Sequence, residues 1–233
     1  MPSSDVPSAQ TSTVDAKSNT SRVTVLPQDS YLCTLMTILR NSETDCTKFA
    51  DVVERVSTLV MAAALNLLPT EALDVKTPTG ATFLGAVAST EVCGVSILRA
   101  GASMENALRR THTGPLCYGK ILIQRDESTS LPTHLYSKFP QNVTRKVVFI
   151  LEPMLATGGS ACMAVDIIKA AGVPEDQVYF INLVASRKGL DTLSSRFPEL
   201  KIVTAAVDEE LTASNHISPG LGDFGDRFYG TVD

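Results

Sequence analysis

Residues 147–160 read VVFILEPMLATGGS, and the fold of the whole chain is organised around this stretch. Its first five residues are apolar without polar alternation, which predicts a parallel strand covered on both faces. Glu152 follows where that strand ends, and ligands collect at this end of a parallel sheet. Apolar residues then recur at helical spacing until Gly172 and Pro174. The stretch therefore predicts a strand, a carboxylate, a small-residue loop and a helix, in that order.

Residues 157–160, which we call the phosphate loop, have the composition of an anion-binding site. A helix start offers unpaired N–H groups and about half a positive charge, and small residues let a phosphate approach the backbone. The loop has neither a Gly-Lys-Ser/Thr ending nor a glycine triplet, which excludes two common nucleotide loops at this position. Glu152 stands where its carboxylate can accept hydrogen bonds from vicinal ribose hydroxyls. We interpret the stretch as a ribose 5-phosphate site, and an ordinary strand–turn–helix with packing glycines is the alternative.

Strands and helices alternate on both sides of this stretch. Strands are predicted at residues 92–98, 115–123, 147–151, 178–184 and 201–207, and helices near 103–110, 161–171 and 190–195. This alternation predicts an α/β fold with a doubly wound, mostly parallel sheet. Arg99, Arg125, Glu152 and Ala185 then fall at the C-terminal ends of strands, which face one crevice in such sheets. We expect the active-site residues there.

The N-terminal part of the chain carries no predicted chemistry. Residues 1–24 are rich in Ser and Thr and poor in apolar side chains, which predicts a flexible tail before a single domain at 25–233. Residues 44–67 keep one apolar face and predict a long helix, with Ser42 or Thr44 as its cap. A turn near residues 77–80 predicts a hairpin of two short strands.

The composition excludes several classes of protein. The net charge of −5 and the pI near 5.3 argue against nucleic acids and anionic membranes as partners. The sequence has no apolar run of about 18 residues and no charged-then-apolar signal pattern, so we expect a cytoplasmic enzyme. The five cysteines are widely spaced, without metal-ligand spacing, and are expected to be reduced and mostly buried.

Three motifs in order resemble the uracil phosphoribosyltransferase family of type I phosphoribosyltransferases. They are residues 97–101 (ILRAG), 152–160 (EPMLATGGS) and 219–227 (PGLGDFGDR), and the similarity runs from about residue 24 to the C-terminus. Glu152 stands where most members carry Asp, and His216 stands where a Tyr is usual. Phe224 replaces the Ala of many bacterial members but is similar to eukaryotic ones.

The resemblance implies an activity and a set of site residues. Uracil and 5-phosphoribosyl 1-pyrophosphate (PRPP) would give UMP and pyrophosphate, with Mg²⁺ as cofactor, in a homodimer or homotetramer. The implied catalytic residues are Arg99, Arg125 and Asp223. The implied PRPP-binding residues are Arg99, Arg125, Glu152, Pro153, Met154, Leu155, Ala156, Thr157, Gly158, Gly159, Ser160 and Asp223. Uracil would bind Ile217, Gly222, Asp223 and Phe224 in a base-binding segment at 207–233, which we call the C-terminal hood.

Several alternatives remain open from the residues themselves. Arg99 alone could be a surface arginine at a strand end, and Arg125 alone would pair with Asp126 or Glu127. Residues 220–225 formally match Gly-x-Gly-x-x-Gly, but the chain ends too soon afterwards for a dinucleotide-binding unit. Residues 128–140 are either a lid over the substrate or a static surface hairpin. The three histidines show no triad or metal pattern and are expected to face solvent or to pack.

Two rival functions also remain open. The departures at Glu152 and His216 fit a paralogue that senses PRPP or a nucleotide without turnover. A phosphoribosyltransferase for another base is the second rival, and the C-terminal match to the uracil branch disfavours it.

Overall fold

The structure is a computed structural model that describes residues 22–125 and 132–231, with Arg125 described by its backbone alone. Its strands are β1 (Val23–Val25), β2 (Thr70–Lys76), β3 (Thr82–Ala88), β4 (Val92–Leu98), β5 (Leu116–Arg125), β6 (Pro132–Lys138), β7 (Val147–Leu151), β8 (Met154–Leu155), β9 (Val178–Ser186), β10 (Lys201–Asp208), β11 (Glu210–Leu211) and β12 (Ile217–Ser218). Its α-helices are α1 (Ser30–Arg40), α2 (Cys46–Leu65), α3 (Glu105–Thr111), α4 (Gly159–Ala170), α5 (Arg187–Arg196) and α6 (Phe224–Tyr229). Short 3₁₀ turns lie at Ala100–Met104, Val143–Arg145 and Glu175–Gln177.

The central sheet has eight strands in the order β1-β10-β9-β7-β4-β5-β6, with β8 paired to β9. All of its pairings are parallel except that between β5 and β6. Helices cover both faces. Phe49 of α2 and Phe149 of β7 belong to the core on one face, whereas Ile150 of β7 and Val165 of α4 belong to the core on the other. The predicted doubly wound, mostly parallel α/β fold is confirmed.

The elements around residues 147–160 match their predictions closely. Strands β4 and β7 have the predicted bounds, and α4 begins within the phosphate loop. Because side chains alternate between two covered faces, every residue of β9 is buried. These apolar strands therefore carry no polar alternation in the sequence.

The N-terminal region differs from its prediction in three details. Strand β1 begins at Val23, inside the segment assigned to the tail, and residues 1–21 lie outside the described ranges. Helix α1 was not predicted. Helix α2 begins at Cys46, and its cap is Asp45, whose carboxylate accepts a hydrogen bond from Lys48 N at 2.9 Å. The prediction of Ser42 or Thr44 as the cap was wrong, because the helix starts later than its apolar face suggested.

Two hairpins extend from this core. Strands β2 and β3 form a separate antiparallel pair, which confirms the hairpin predicted near residues 77–80. Strands β5 and β6 pair antiparallel at the edge of the main sheet. Residues 132–138 of the predicted lid are therefore a strand, whereas residues 128–131 lie outside the described ranges. Within the described ranges, no helix combines the length and the apolar character needed to cross a membrane.

All five cysteines are free thiols. Cys93 and Cys162 are buried, but Cys33 of α1 and Cys46 of α2 are exposed. The expectation of mostly buried thiols is therefore wrong for these two, because a cysteine beside apolar residues in a helix can still lie on its solvent side.

Candidate active site

The C-terminal ends of β4 and β7, the start of α4 and the C-terminal hood enclose a cavity of about 400 Å³. The predicted site residues that line it are Arg99, Glu152, Met154, Leu155, Ala156, Gly158, Ser160, Ile217, Gly222, Asp223 and Phe224. Pro153, Thr157 and Gly159 lie in the same loop but do not line the cavity. Arg125 is the last residue of β5, and its side chain lies outside the described structure. The three sequence motifs thus converge on one cavity.

The phosphate loop leads into a helix that no side chain caps. Gly158 is the N-cap residue of α4, with a φ of +87°, and no side chain accepts a hydrogen bond there. The first N–H groups of a helix have no acceptor within it, so here they are available to an anion. A methyl group added at Gly158 would lie 3.2 Å from Cβ of Thr192. The positive φ and the close neighbour both favour glycine at this position.

The chain before the phosphate loop is fixed against α5. Ser186 Oγ donates a hydrogen bond to the carbonyl of Ala156 and accepts one from Gly189 N at 2.9 Å. A methyl group at Gly189 would lie 2.5 Å from the same Ala156 carbonyl oxygen. Only glycine therefore allows α5 to approach this closely, and the loop conformation is set before any ligand arrives.

Glu152 lies where β7 ends, as the sequence predicted. It is half-buried, and its N–H donates to the carbonyl of Ile181 at 3.2 Å. Met154 N lies 3.5 Å from Glu152 Oε1, at the long limit for a hydrogen bond. The carboxylate and the uncapped start of α4 line the same cavity, which is the arrangement expected for a ribose phosphate.

Arg99 follows β4 in a tight bend. A methyl group at Gly101 would lie 2.0 Å from the carbonyl oxygen of Leu151, so only glycine allows the bend to pack against the end of β7. The Arg99 side chain is 60% exposed, and its Nη2 lies 3.4 Å from Asp226 Oδ1. The guanidinium therefore reaches across the cavity to the C-terminal hood.

The hood is anchored to Arg40 of α1 by a buried carboxylate of its own, which was not predicted from the sequence. Asp208, at the end of β10, is 6% exposed and accepts two hydrogen bonds from Arg40, at 2.7 and 2.8 Å. It also accepts one from Gly220 N at 2.9 Å, and Arg40 donates to the Gly220 carbonyl at 2.8 Å. Asp208 ends a parallel strand, so the rule that identified Glu152 would also have pointed to it.

Arg227 secures the far end of the hood. Its guanidinium donates to the carbonyls of Leu39 and Leu221, both at 2.6 Å, and to that of Asn41 at 2.7 Å. It also lies 4.3 Å from the ring centroid of Phe49, and burial lowers the pKa of the guanidinium. Arg227 is thus turned away from the cavity and holds the backbone of the hood.

The hood ends in a short helix, α6, that the sequence did not predict. Asp223 caps it, since Oδ1 accepts a hydrogen bond from Asp226 N at 3.0 Å. Phe224 is buried and packs edge-on against Phe49 at 5.6 Å. Phe224 therefore fixes the cavity wall through its side chain, which leaves its main chain at the cavity.

The histidines confirm the expectation in part. His134 and His216 are exposed, and His112 is buried. His216, however, lines the cavity, and its Nδ1 lies 3.0 Å from Ser214 Oγ. Its position beside Ile217, an implied uracil-binding residue, is the one sequence signal for this location. Among the described residues, no group of three or more His, Cys, Asp or Glu side chains could hold a metal ion.

Comparisons with known proteins identify the family of the chain. The family model described as "Uracil phosphoribosyltransferase" matches residues 25–231. The chain is 44% identical over 207 residues to the uracil phosphoribosyltransferase of Saccharomyces cerevisiae, covering 89% of this chain and 95% of that protein. It is 43% identical over 211 residues to the one of Dictyostelium discoideum, covering 91% and 97%.

Solved structures show the same fold. The AQ2163 protein of Aquifex aeolicus matches with a TM-score of 0.79 and 29% identity, over 89% of this chain and 97% of that one. The adenine phosphoribosyl transferase of Trypanosoma brucei matches with a TM-score of 0.54 and 13% identity, over 83% and 86%, and shares the fold alone. With a family model that spans almost all of the described structure, the chain belongs to the uracil phosphoribosyltransferase family.

Proposed function

We propose that this chain transfers the 5-phosphoribosyl group of PRPP to N1 of uracil, giving UMP and pyrophosphate in pyrimidine salvage. One observation carries the proposal. The uncapped start of α4, Arg99 and the glycine-rich main chain of the hood line one cavity of about 400 Å³. These are binding groups for a 5-phosphate, a pyrophosphate and a planar base, and the curated relatives that match over most of this chain are named for this enzyme.

The phosphate loop and Glu152 would hold the ribose 5-phosphate. The 5-phosphate accepts hydrogen bonds from the first N–H groups of α4, and the hydroxyls of Thr157 and Ser160 supply further donors. The carboxylate of Glu152 accepts hydrogen bonds from the ribose hydroxyls. Because the loop is fixed against α5 in advance, little ordering is needed when PRPP binds.

Arg99 and Arg125 would bind the pyrophosphate. In the reaction the bond from the anomeric carbon to the pyrophosphate oxygen breaks, a bond from uracil N1 forms, and the N1 proton is released. Negative charge develops on the leaving pyrophosphate, so fixed guanidinium groups stabilise the transition state more than the bound substrate. Asp223, beside the base and the PRPP site, would keep the two substrates aligned.

Mg²⁺ would arrive with PRPP rather than occupy a site of its own. The described residues contain no cluster of three acidic or histidine ligands, which fits a metal bound mainly by phosphate oxygens and water. Glu152 and Asp223 are the carboxylates that line the cavity and are the chain's own candidates to contact it. When bound, the ion would neutralise charge on the leaving pyrophosphate.

The hood would recognise uracil through its main chain. Ile217, Gly222 and Phe224 line the cavity. Between them in the chain, Gly220 N donates to Asp208 and the Leu221 carbonyl accepts from Arg227, and these bonds hold the main chain of the hood. Main-chain donors and acceptors in fixed positions match the carbonyl and N3–H pattern of uracil, and a base with the reversed pattern would leave buried groups unpaired.

We also propose that the enzyme acts in the cytoplasm as a homodimer or homotetramer and binds neither nucleic acid nor membrane. The net charge of −5 supports the absence of a polyanionic partner. The exposed apolar side chains of the β2–β3 hairpin, among them Phe83 at 60% and Leu84 at 74%, support self-association.

The test is UMP formation by the purified protein from uracil, PRPP and Mg²⁺. Turnover that requires both substrates supports the proposal. Binding of PRPP or UMP in calorimetry without turnover would instead establish a nucleotide-binding protein without catalysis.

A further inference from the structure

The pyrophosphate-binding arginine proposed above is held by α6, the last helix of the hood. Nη2 of Arg99 lies 3.4 Å from Asp226 Oδ1, and its guanidinium carbon lies 5.7 Å from the ring centroid of Tyr229. Tyr229 Oη donates a hydrogen bond to the Arg99 carbonyl at 3.0 Å. A methyl group added at Gly225 would lie 3.4 Å from Arg99 Nη2. Both the backbone and the side chain of Arg99 are thus fixed by one short helix.

Asp226 is itself held in place. Its Oδ1 accepts a hydrogen bond from Thr231 Oγ1 at 2.7 Å, and its N–H donates to Asp223 Oδ1 at 3.0 Å. Tyr229 is fixed by its ring, which packs edge-on against Phe228 at 5.0 Å. The groups that contact Arg99 therefore have contacts of their own within the hood, which favour one position for each and so restrict the arginine.

The contact leaves most of the guanidinium free for a ligand. A guanidinium has five N–H donors, and the Asp226 contact engages one of its two terminal nitrogens. The side chain is 60% exposed and lines the cavity. One edge of the guanidinium can therefore remain in contact with Asp226 while another edge binds a pyrophosphate. The contact with Asp226 thus orients the planar group before the anion binds.

We infer that Asp226 and Tyr229 are positioning residues that orient Arg99 for the pyrophosphate group of PRPP. The inference rests on the proposed function, because it assigns Arg99 to that group. It links the two halves of the site, because α6 belongs to the uracil-binding hood and also contacts Arg99, which binds PRPP. Asp226 does not touch the base or the reacting atoms and acts through Arg99.

The test is a double-mutant cycle on PRPP binding, measured by calorimetry in the presence of Mg²⁺ with the full chain. Asp226→Asn keeps an acceptor for Thr231 but removes the charge, and we expect a roughly three- to five-fold weaker affinity, the range for a partly exposed ion pair. In an Arg99→Gln background the same substitution is expected to leave PRPP affinity unchanged, because the guanidinium through which Asp226 acts has been removed. Tyr229→Phe keeps the ring and removes the donor to the Arg99 carbonyl, and should weaken PRPP binding about two-fold.

Asp51→Asn is the matched control. Asp51 is 47% exposed and pairs with Arg55 at 3.1 Å on α2, much as Asp226, 40% exposed, pairs with Arg99. It is expected to leave PRPP affinity unchanged. In turnover assays Asp226→Asn should raise KM for PRPP and leave KM for uracil within about two-fold, a split that a general loss of folding would not give.

The outcomes separate the inference from the function on which it rests. Unchanged PRPP affinity in Asp226→Asn would overturn the inference alone, provided that the wild type makes UMP. Tighter binding would overturn it too, because Asp226 would then compete with the ligand for Arg99. An equal loss in the Arg99→Gln background would show that Asp226 acts by another route. A wild-type protein that does not bind PRPP would overturn both.

Discussion

Replacement of Asp208 by Asn tests how the main chain of the C-terminal hood is held. Asp208 is 6% exposed, and its carboxylate accepts hydrogen bonds from Arg40 and from Gly220 N. The Arg40 side chain is itself only 24% exposed, so removing the charge leaves a largely buried cation with a weaker partner. Breaking a buried pair costs about 3–5 kcal/mol, and the residual exposure and the retained amide acceptor reduce this to about 2–3 kcal/mol.

For a chain of this size, that loss of stability corresponds to a fall in melting temperature of about 4–12 °C. The Gly220 amide also loses a charged acceptor, so the main chain of the hood should become less fixed. We therefore expect KM for uracil to rise more than KM for PRPP. Thermal unfolding by circular dichroism and steady-state kinetics with each substrate varied are the measurements.

Glu209→Gln is the matched control, because Glu209 is the next residue and pairs with Arg187 at 2.9 Å, but it is 70% exposed. It is expected to melt with the wild type and to keep both KM values. The reasoning is refuted if Asp208→Asn also melts with the wild type. An equal rise in both KM values would contradict a specific role of Asp208 in holding the uracil-binding main chain of the hood.

Three further predictions concern the phosphate site and the thiols. Glu152→Gln should raise KM for PRPP far more than KM for uracil, because a lost charged hydrogen bond costs about 1–3 kcal/mol of binding free energy. Unchanged PRPP kinetics would show that Glu152 does not bind PRPP. Gly158→Val places a β-branched residue at a φ of +87° and should abolish protection against heat by PRPP while circular dichroism shows a folded protein; surviving protection would place the phosphate elsewhere. Burial raises the pKa of Cys93 to about 12, so at pH 8 iodoacetamide should label the exposed Cys33 and Cys46 first, and mass spectrometry showing early labelling of Cys93 would contradict this.

The main fold could be predicted because its strands are covered on both faces. A short apolar run without polar alternation, such as residues 147–151, indicates a buried strand of a parallel sheet. The helical spacing of apolar residues after residue 160 indicates that a helix follows this strand. Helix α1 was not predicted although its sequence carries the usual signals, and it is shorter than α2, with 11 residues against 20. Asp29 caps it, and its buried side chains Leu32, Leu35, Met36 and Leu39 recur at helical spacing, so the pattern that predicted α2 also applies to α1.

The site could be predicted only as far as its local motifs reach. Glu152 and Gly158 belong to one contiguous stretch, so the sequence places them together. The contact of Asp208 with Arg40 joins residues 168 positions apart, and that of Arg99 with Asp226 joins residues 127 positions apart. Such pairs follow from how the hood folds back over the sheet, which no local pattern encodes.

The measurement that tests the central claim most directly is product formation from three bases, uracil, cytosine and orotate, each with PRPP and Mg²⁺ at equal concentration. The hood offers main-chain groups and apolar surface, and its one arginine, Arg227, is turned away from the cavity towards three carbonyls. We predict UMP formation from uracil, strong rejection of cytosine because its donor and acceptor at position 4 are reversed, and rejection of orotate because its carboxylate finds no charge partner in the hood. Comparable turnover of orotate or cytosine would contradict the uracil site.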